Sequence, residues 1–142
     1  MTFAIVDKSR EKPVGSTSFM DIRAENRGLE IGSTWLAPVD QGTAINPEAK
    51  LLLLTHAFEE LSAIRVQFRT DSRNVQSQRA IEKLGAVRDG VFRHDTIMLD
   101  GYLRDSVFYS ILAGEWPAVK SKLVDRLMAL EPTGSYNSRI NL

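Results

Sequence analysis

Hydrophobic and polar positions along this chain repeat with two different periods, and the switches between them mark its elements. Phe3 to Val6 is a short apolar run, followed by the polar stretch from Asp7 to Lys12. Pro13 opens a second extended run that reaches Ile22, so the two runs predict a hairpin. Leu29, Ile31, Ser33 and Trp35 alternate with Glu30, Gly32, Thr34 and Leu36, the period of a third strand. Pro38 closes it. A loop of small residues follows, and Pro47 stands where a helix would begin. Leu51, Leu54, Phe58 and Leu61 then recur at helical spacing, which predicts an amphipathic helix over residues 47 to 61. Ile64, Val66 and Phe68 alternate with Arg65, Gln67 and Arg69 as a fourth strand. Asn74 is placed to cap a helix carrying Ala80, Ile81 and Leu84 on its inner face, and Gly85 to end it. Residues 87 to 99 and 103 to 112 read as strands joined at Asp100-Gly101, a hairpin turn signal. Pro117 starts a last helix with Val119, Leu123, Leu127 and Leu130 on one face. Residues 131 to 142 read as a polar, mobile tail beyond a domain spanning 1 to 130.

The order is three strands, helix, strand, helix, two strands, helix. An antiparallel front half that feeds a strand-helix-strand unit predicts a mixed α/β sheet. Length fits one domain with its own core.

Composition narrows the function classes. Acidic and basic side chains balance at 18 each, so no strong field draws the chain to nucleic acid or an anionic membrane. There is no cysteine, which excludes disulfides, thiolate metal sites and a cysteine nucleophile. The two histidines, His56 and His94, are too few and too far apart to predict a zinc site. The longest apolar run, Leu51 to Leu54, is too short to span a bilayer. A cytoplasmic protein is the expectation.

Candidate chemistry centres on the loop Gln41-Gly42-Thr43-Ala44-Ile45-Asn46, between the third strand and its helix. A helix N-terminus presents unpaired N–H groups and a partial positive charge. Small residues let a phosphate approach those groups. Gly42 and Ala44 are small, and Gln41 and Thr43 carry side-chain donors. From the loop alone, an ordinary helix-capping loop and an anion site stay equally open. No Gly-Lys-Ser/Thr and no Gly-x-Gly-x-x-Gly follows a strand, so the P-loop and the dinucleotide fingerprint are set aside.

The loop resembles motif A of the GCN5-related N-acetyltransferase (GNAT) superfamily, Gln/Arg-x-x-Gly-x-Gly/Ala, with Ala44 in place of the central glycine and Asn46 in place of the last small residue. Pro47 to Leu54, Asn74-Val75-Gln76-Ser77, Glu82 to Ala86, and the hairpin with Arg104-Asp105 and Tyr109 resemble the ribosomal-protein N-acetyltransferase branch in order and spacing. The resemblance covers roughly residues 3 to 127.

It implies an acetyl-coenzyme A-dependent fold. The strand before the loop would splay from its neighbour, and the pantetheine arm would lie along Trp35 and Leu36. Backbone N–H groups of Gln41 to Asn46 would hold the pyrophosphate. Asn74 would contact the pantetheine arm and Ser77 would sit near the sulfur. For Asn74 a helix cap is the alternative role, and for Ser77 a hydroxyl bonded to a carbonyl one turn back. Trp35 and Trp116 read as packing residues, and His56 as a structural histidine. An amine must be neutral to attack a thioester. Glu30, on the strand leading to the loop, is the first candidate base, acting through water, with Asp95 and His94 behind it. Backbone N–H of the splayed strand would stabilise the oxyanion, and Ser77 would protonate the leaving thiolate.

Complete family members begin with a further strand and two helices that wall the acceptor site, and here the first strand-like run already starts at Phe3. The expectation is therefore a shortened member whose uncovered apolar surface is met by a second copy in a homodimer. The acceptor is an amine, a protein N-terminus being one of several classes the family acetylates. A non-catalytic acyl-coenzyme A-binding module and an oligomerisation domain remain as alternatives.

Overall fold

The computed structural model describes residues 1–130 and 138–142. Seven strands form one sheet in the order β5-β6-β4-β3-β2-β1-β7. They are β1 (Thr2–Asp7), β2 (Lys12–Arg23), β3 (Gly28–Leu36), β4 (Arg65–Asp71), β5 (Val87–Ile97), β6 (Leu103–Leu112) and β7 (Ile140–Asn141). Three α-helices accompany them: α1 (Ile45–Thr55), α2 (Val75–Lys83) and α3 (Trp116–Met128). All pairings are antiparallel except β3 with β4, the pair bridged by α1. The mixed sheet follows from that single parallel pair.

The two faces of the sheet differ. Leu29, Ile31, Val66, Phe68, Tyr109 and Ile111 point to one side and pack with Leu51, Leu54, Ile81, Leu84, Leu123 and Leu127 of the helices. Burying side chains of this kind is the main stabilising term, at about 25 cal/mol per Å² of apolar surface. The opposite face carries Glu30, Gln67, Arg69 and Phe108 in neighbouring strands, and Glu30 accepts a 2.8 Å bond from Gln67 Nε2.

Two local differences from the periodic pattern have physical causes. The first long helix changes pitch: α1 runs into a π-helical turn over His56–Glu60. The wider turn shifts the apolar stripe, so Phe58 stays buried while Leu61 is half-exposed. At the end of the chain, Ile140 pairs with Asp7 and is buried, and the amides of Arg139 and Ile140 donate to the buried Glu48 carboxylate. The described part of the tail is thus a docked strand; the rest of the segment read as mobile, 131–137, lies outside the described residues.

Candidate active site

The parallel pair that α1 bridges does not stay together. β3 and β4 pair at Gly28↔Arg65, Leu29↔Val66 and Glu30↔Gln67 only. Beyond Glu30, residues 31–36 of β3 and 68–71 of β4 diverge with no ladder between them. The cause lies in β3. Its register with β2 steps from Ser18↔Gly32 to Ser16↔Trp35, which inserts one extra residue in β3. Ser33 takes up the bulge with φ of 47°. A bulge bends its strand and increases the local twist. Gly15 makes the bend possible, because a Cβ there would lie 2.2 Å from the Trp35 carbonyl oxygen.

The gap is a cleft of about 620 Å³ at the carboxyl ends of the two parallel strands, where open α/β sheets bind ligands. β3 lines one wall from Ile31 to Leu36, and Phe68 to Asp71 of β4 line the other. Gln41, Gly42, Asn46 and Lys50 close the end under α1, and Asn74, Ser77, Ala80, Ile81 and Leu84 close the side under α2.

The α1 end is suited to an anion. Gly42 has φ of 73° and open space where a Cβ would stand. The N–H groups of Gly42, Thr43, Ala44 and Asn46 donate to no group among the described residues, which leaves a cluster of free donors at a helix N-terminus. Asn46 Oδ1, in the same wall, is buried without a hydrogen-bond partner. The side chains of the loop behave otherwise than expected. Thr43 Oγ1 spends its only proton on the Asp40 carbonyl at 2.7 Å, and accepts from Ile45 N–H at 3.3 Å. Gln41 Nε2 donates to the Leu36 carbonyl at 3.1 Å. Both tie the loop to itself, so donors toward the cleft are mainly backbone. Thr43, Ala44 and Ile45 do not line it through their side chains. Ala44 and Ile45 are buried in the two core clusters.

At the α2 end Asn74 is a helix cap: its Oδ1 accepts the Ser77 N–H at 3.0 Å. It lines the cleft as well. The Ser77 hydroxyl has no hydrogen-bond partner among the described residues, so the carbonyl one turn back does not hold it. Trp35 differs from its reading as a packing residue, being 60% exposed on the rim. Trp116 does pack, stacking on Phe58 and donating to Glu59 at 2.9 Å. His56 stacks against Phe19 at 6.2 Å between ring centres.

Glu30 stands at the vertex where β3 and β4 part, on the face without helices. It is 4% exposed, bonded to Gln67 and 3.6 Å from Arg69 Nε. Arg69 in turn reaches Asp95 Oδ2 at 3.4 Å. His94 and Asp95 border a separate shallow depression with Phe92 and Asp105. His94 has φ of 51°, a conformation held by its N–H donating to Asp105 Oδ1 at 2.8 Å. Glu30 and Asp95 are therefore linked through Arg69, while His94 stands apart. Lys50 is a buried cleft residue that sequence reasoning missed. As a polar position in an amphipathic helix it carried no signal of burial.

A mixed sheet whose central parallel pair opens into a cleft, with a helix N-terminus at one end, is an α/β scaffold with a ligand-sized site between its diverging strands. The profile of the acetyltransferase (GNAT) domain matches residues 1–87, and the chain belongs to the GNAT acetyltransferase family. A Bacillus subtilis (strain 168) protein named "Putative ribosomal N-acetyltransferase YdaF" is 35% identical over 106 residues, covering 75% of this chain and 57% of its own length. The crystal structure of a GCN5-related N-acetyltransferase from Brucella melitensis superposes with TM-score 0.87 at 29% identity, covering 98% of this chain and 61% of that one. The crystal structure of a "putative acetyltransferase" from T. thermophilus shares 50% identity with TM-score 0.78, covering 82% of this chain and 62% of its own. The chain thus spans about three-fifths of the length of these relatives.

Proposed function

We propose that this chain binds acetyl-coenzyme A in the β3/β4 cleft and transfers the acetyl group to an amine. The observation that carries the reading is the union of the splayed parallel pair with free amide N–H groups at the α1 N-terminus. Gly42, Thr43, Ala44 and Asn46 hold the pyrophosphate through backbone N–H. Trp35 and Leu36 flank the pantetheine arm, and Asn74 and Ser77 face it from α2. Acetyl-coenzyme A supplies the activated carbonyl.

The amine must lose a proton before or as it attacks. An α-amino group has a reference pKa of about 7.7–8.0 and a lysine amine about 10.4, so an N-terminal amine needs less help at neutral pH. In this reading Glu30, through water, receives the proton, and Arg69 and Gln67 hold its carboxylate in place. A C–N bond forms, the C–S bond breaks, and Ser77 delivers a proton to the departing sulfur. The free Ser77 hydroxyl supports that role. The reading includes a homodimer in the cytoplasm. Phe92 and Ile97, exposed on β5 at the sheet edge, are the apolar surface a second copy would cover, and gel filtration with light scattering tests it.

The test of the cleft is a thermal shift with acetyl-coenzyme A, since a ligand that binds only the folded form raises apparent stability. Binding is expected in the wild type and its loss in Gly42→Asp, which places a negative charge in the open space of the cleft lining beside the anion's donors. An unchanged shift in the variant would refute the loop assignment. Binding without thiol release across a panel of amines would favour a non-catalytic acyl-coenzyme A module.

A further inference from the structure

Lys50 is a buried cation for which the reading above has no use. It projects from α1 one turn after Asn46, and positions four apart share a helix face. Its side chain is almost fully buried, yet Lys50 and Asn46 both line the cleft. Nζ donates to Thr34 Oγ1 at 2.5 Å and to Thr17 Oγ1 at 3.3 Å, and those hydroxyls lie 2.9 Å apart. An ammonium has three protons to donate. Two are met by this threonine pair, and the third has no acceptor among the described residues.

No carboxylate among the described residues balances it. Glu48, on the same helix, is turned away to the amides of Arg139 and Ile140. β2 presents Thr17 and no charge. The acidic residue of β3, Glu30, is on the other face of the sheet with Gln67 and Arg69. Across the cleft stand Arg69 and Asp71 of β4 and Arg104 of β6, and Asp71 is bonded to Arg73 at 3.0 Å. α2 brings only uncharged side chains to the lining. A basic group this deeply buried on the lining of a cleft, with no carboxylate paired to it among the described residues, is placed to respond to an anion there.

We propose that Lys50 is a conditional counter-charge for the polyphosphate ligand of this cleft, taking up a proton when acetyl-coenzyme A binds. The inference rests on the cleft being the acetyl-coenzyme A site. Desolvation by burial lowers the Lys50 pKa from 10.5 to about 7, so the group is poised where a nearby anion changes its state. A single negative charge about 8 Å away at an effective dielectric of about 20 raises such a pKa by on the order of 1.5 units. Near pH 8, then, the lysine is mostly neutral in the free chain and mostly charged in the complex. Affinity weakens as pH rises through this window, by up to about fivefold per unit.

Isothermal titration calorimetry of acetyl-coenzyme A into the intact chain tests this, at about pH 8 in two amine buffers of different ionisation enthalpy. The ligand's phosphomonoester, with a second pKa of about 6, is already dianionic there. The expected result is uptake of roughly half a proton or more per ligand bound. Lys50→Met should bind without that uptake and with a pH-independent Kd. Lys50→Arg, which stays charged, should also bind without uptake. Binding to the wild type with no buffer-dependent heat would overturn the counter-charge and leave the acetyl-coenzyme A reading intact, as would uptake that persists in Lys50→Met. Absence of any binding would overturn both.

Discussion

Lys50 also has a consequence for stability that needs no ligand. Unfolding returns it to water, where its pKa is the ordinary 10.5 instead of about 7. Between those values the unfolded chain holds the proton and the folded chain does not. Stability therefore rises with pH across the window, by about 1.4 kcal/mol per unit from this group. Below about pH 7 the proton is bound in both states and the folded protein bears the whole cost. The full shift corresponds to an order-of-magnitude cost of about 5 kcal/mol. Lys50→Met removes the charge and keeps most of the side-chain volume. The two threonines remain satisfied by their mutual 2.9 Å bond, so no buried polar group is orphaned. The variant should be more stable than wild type at about pH 6, by several kcal/mol in order of magnitude, and the advantage should shrink by about 2–3 kcal/mol on going to about pH 9. Urea unfolding followed by circular dichroism at a series of pH values measures the difference directly. A difference that does not change with pH would show that Lys50 keeps its proton in the folded chain and would defeat the argument.

Three further outcomes follow from the cleft. Ser77→Ala should lower kcat by about 100-fold or more, the usual worth of a positioned proton donor being roughly 10²–10⁴, while acetyl-coenzyme A binding is retained; an unchanged kcat removes Ser77 from the chemistry. Gly15→Ala should cost about 1–3 kcal/mol and weaken the acetyl-coenzyme A thermal shift, because the new methyl would meet the Trp35 carbonyl at 2.2 Å and displace the bulged end of β3. Wild-type stability in that variant would show that β3 has slack there. Asn74→Ala should cost about 1 kcal/mol through the lost cap to Ser77 N–H, measurable by chemical unfolding, and a loss below about 0.3 kcal/mol would mean that water replaces the cap.

The local features of this chain were written in its sequence. Asn74 caps α2 as its residue type requires, Asp100-Gly101 turns the β5–β6 hairpin, and the alternation from Leu29 marks β3. These depend on residues within a few positions of one another, so period and capping chemistry expose them. The loop from Gln41 to Asn46 could likewise be located as a helix N-terminus with small residues. What the tertiary structure alone decided were relations between distant segments. β3 and β4 part after Glu30 because of a bulge at Ser33 and a close approach at Gly15, and a period-two pattern contains neither. Thr43 and Gln41 turn inward because the Asp40 and Leu36 carbonyls need donors, which leaves the loop's unpaired donors mainly on the backbone. Trp35 stands on the rim of the cleft and Ile140 docks beside β1. Lys50 is the plainest case. In the sequence it is one polar position on a helix, and it becomes a buried cation only when Thr17 and Thr34 of two other elements close over it. Burial, and the ionisation equilibrium that burial shifts, belong to a neighbourhood assembled from residues far apart in the chain.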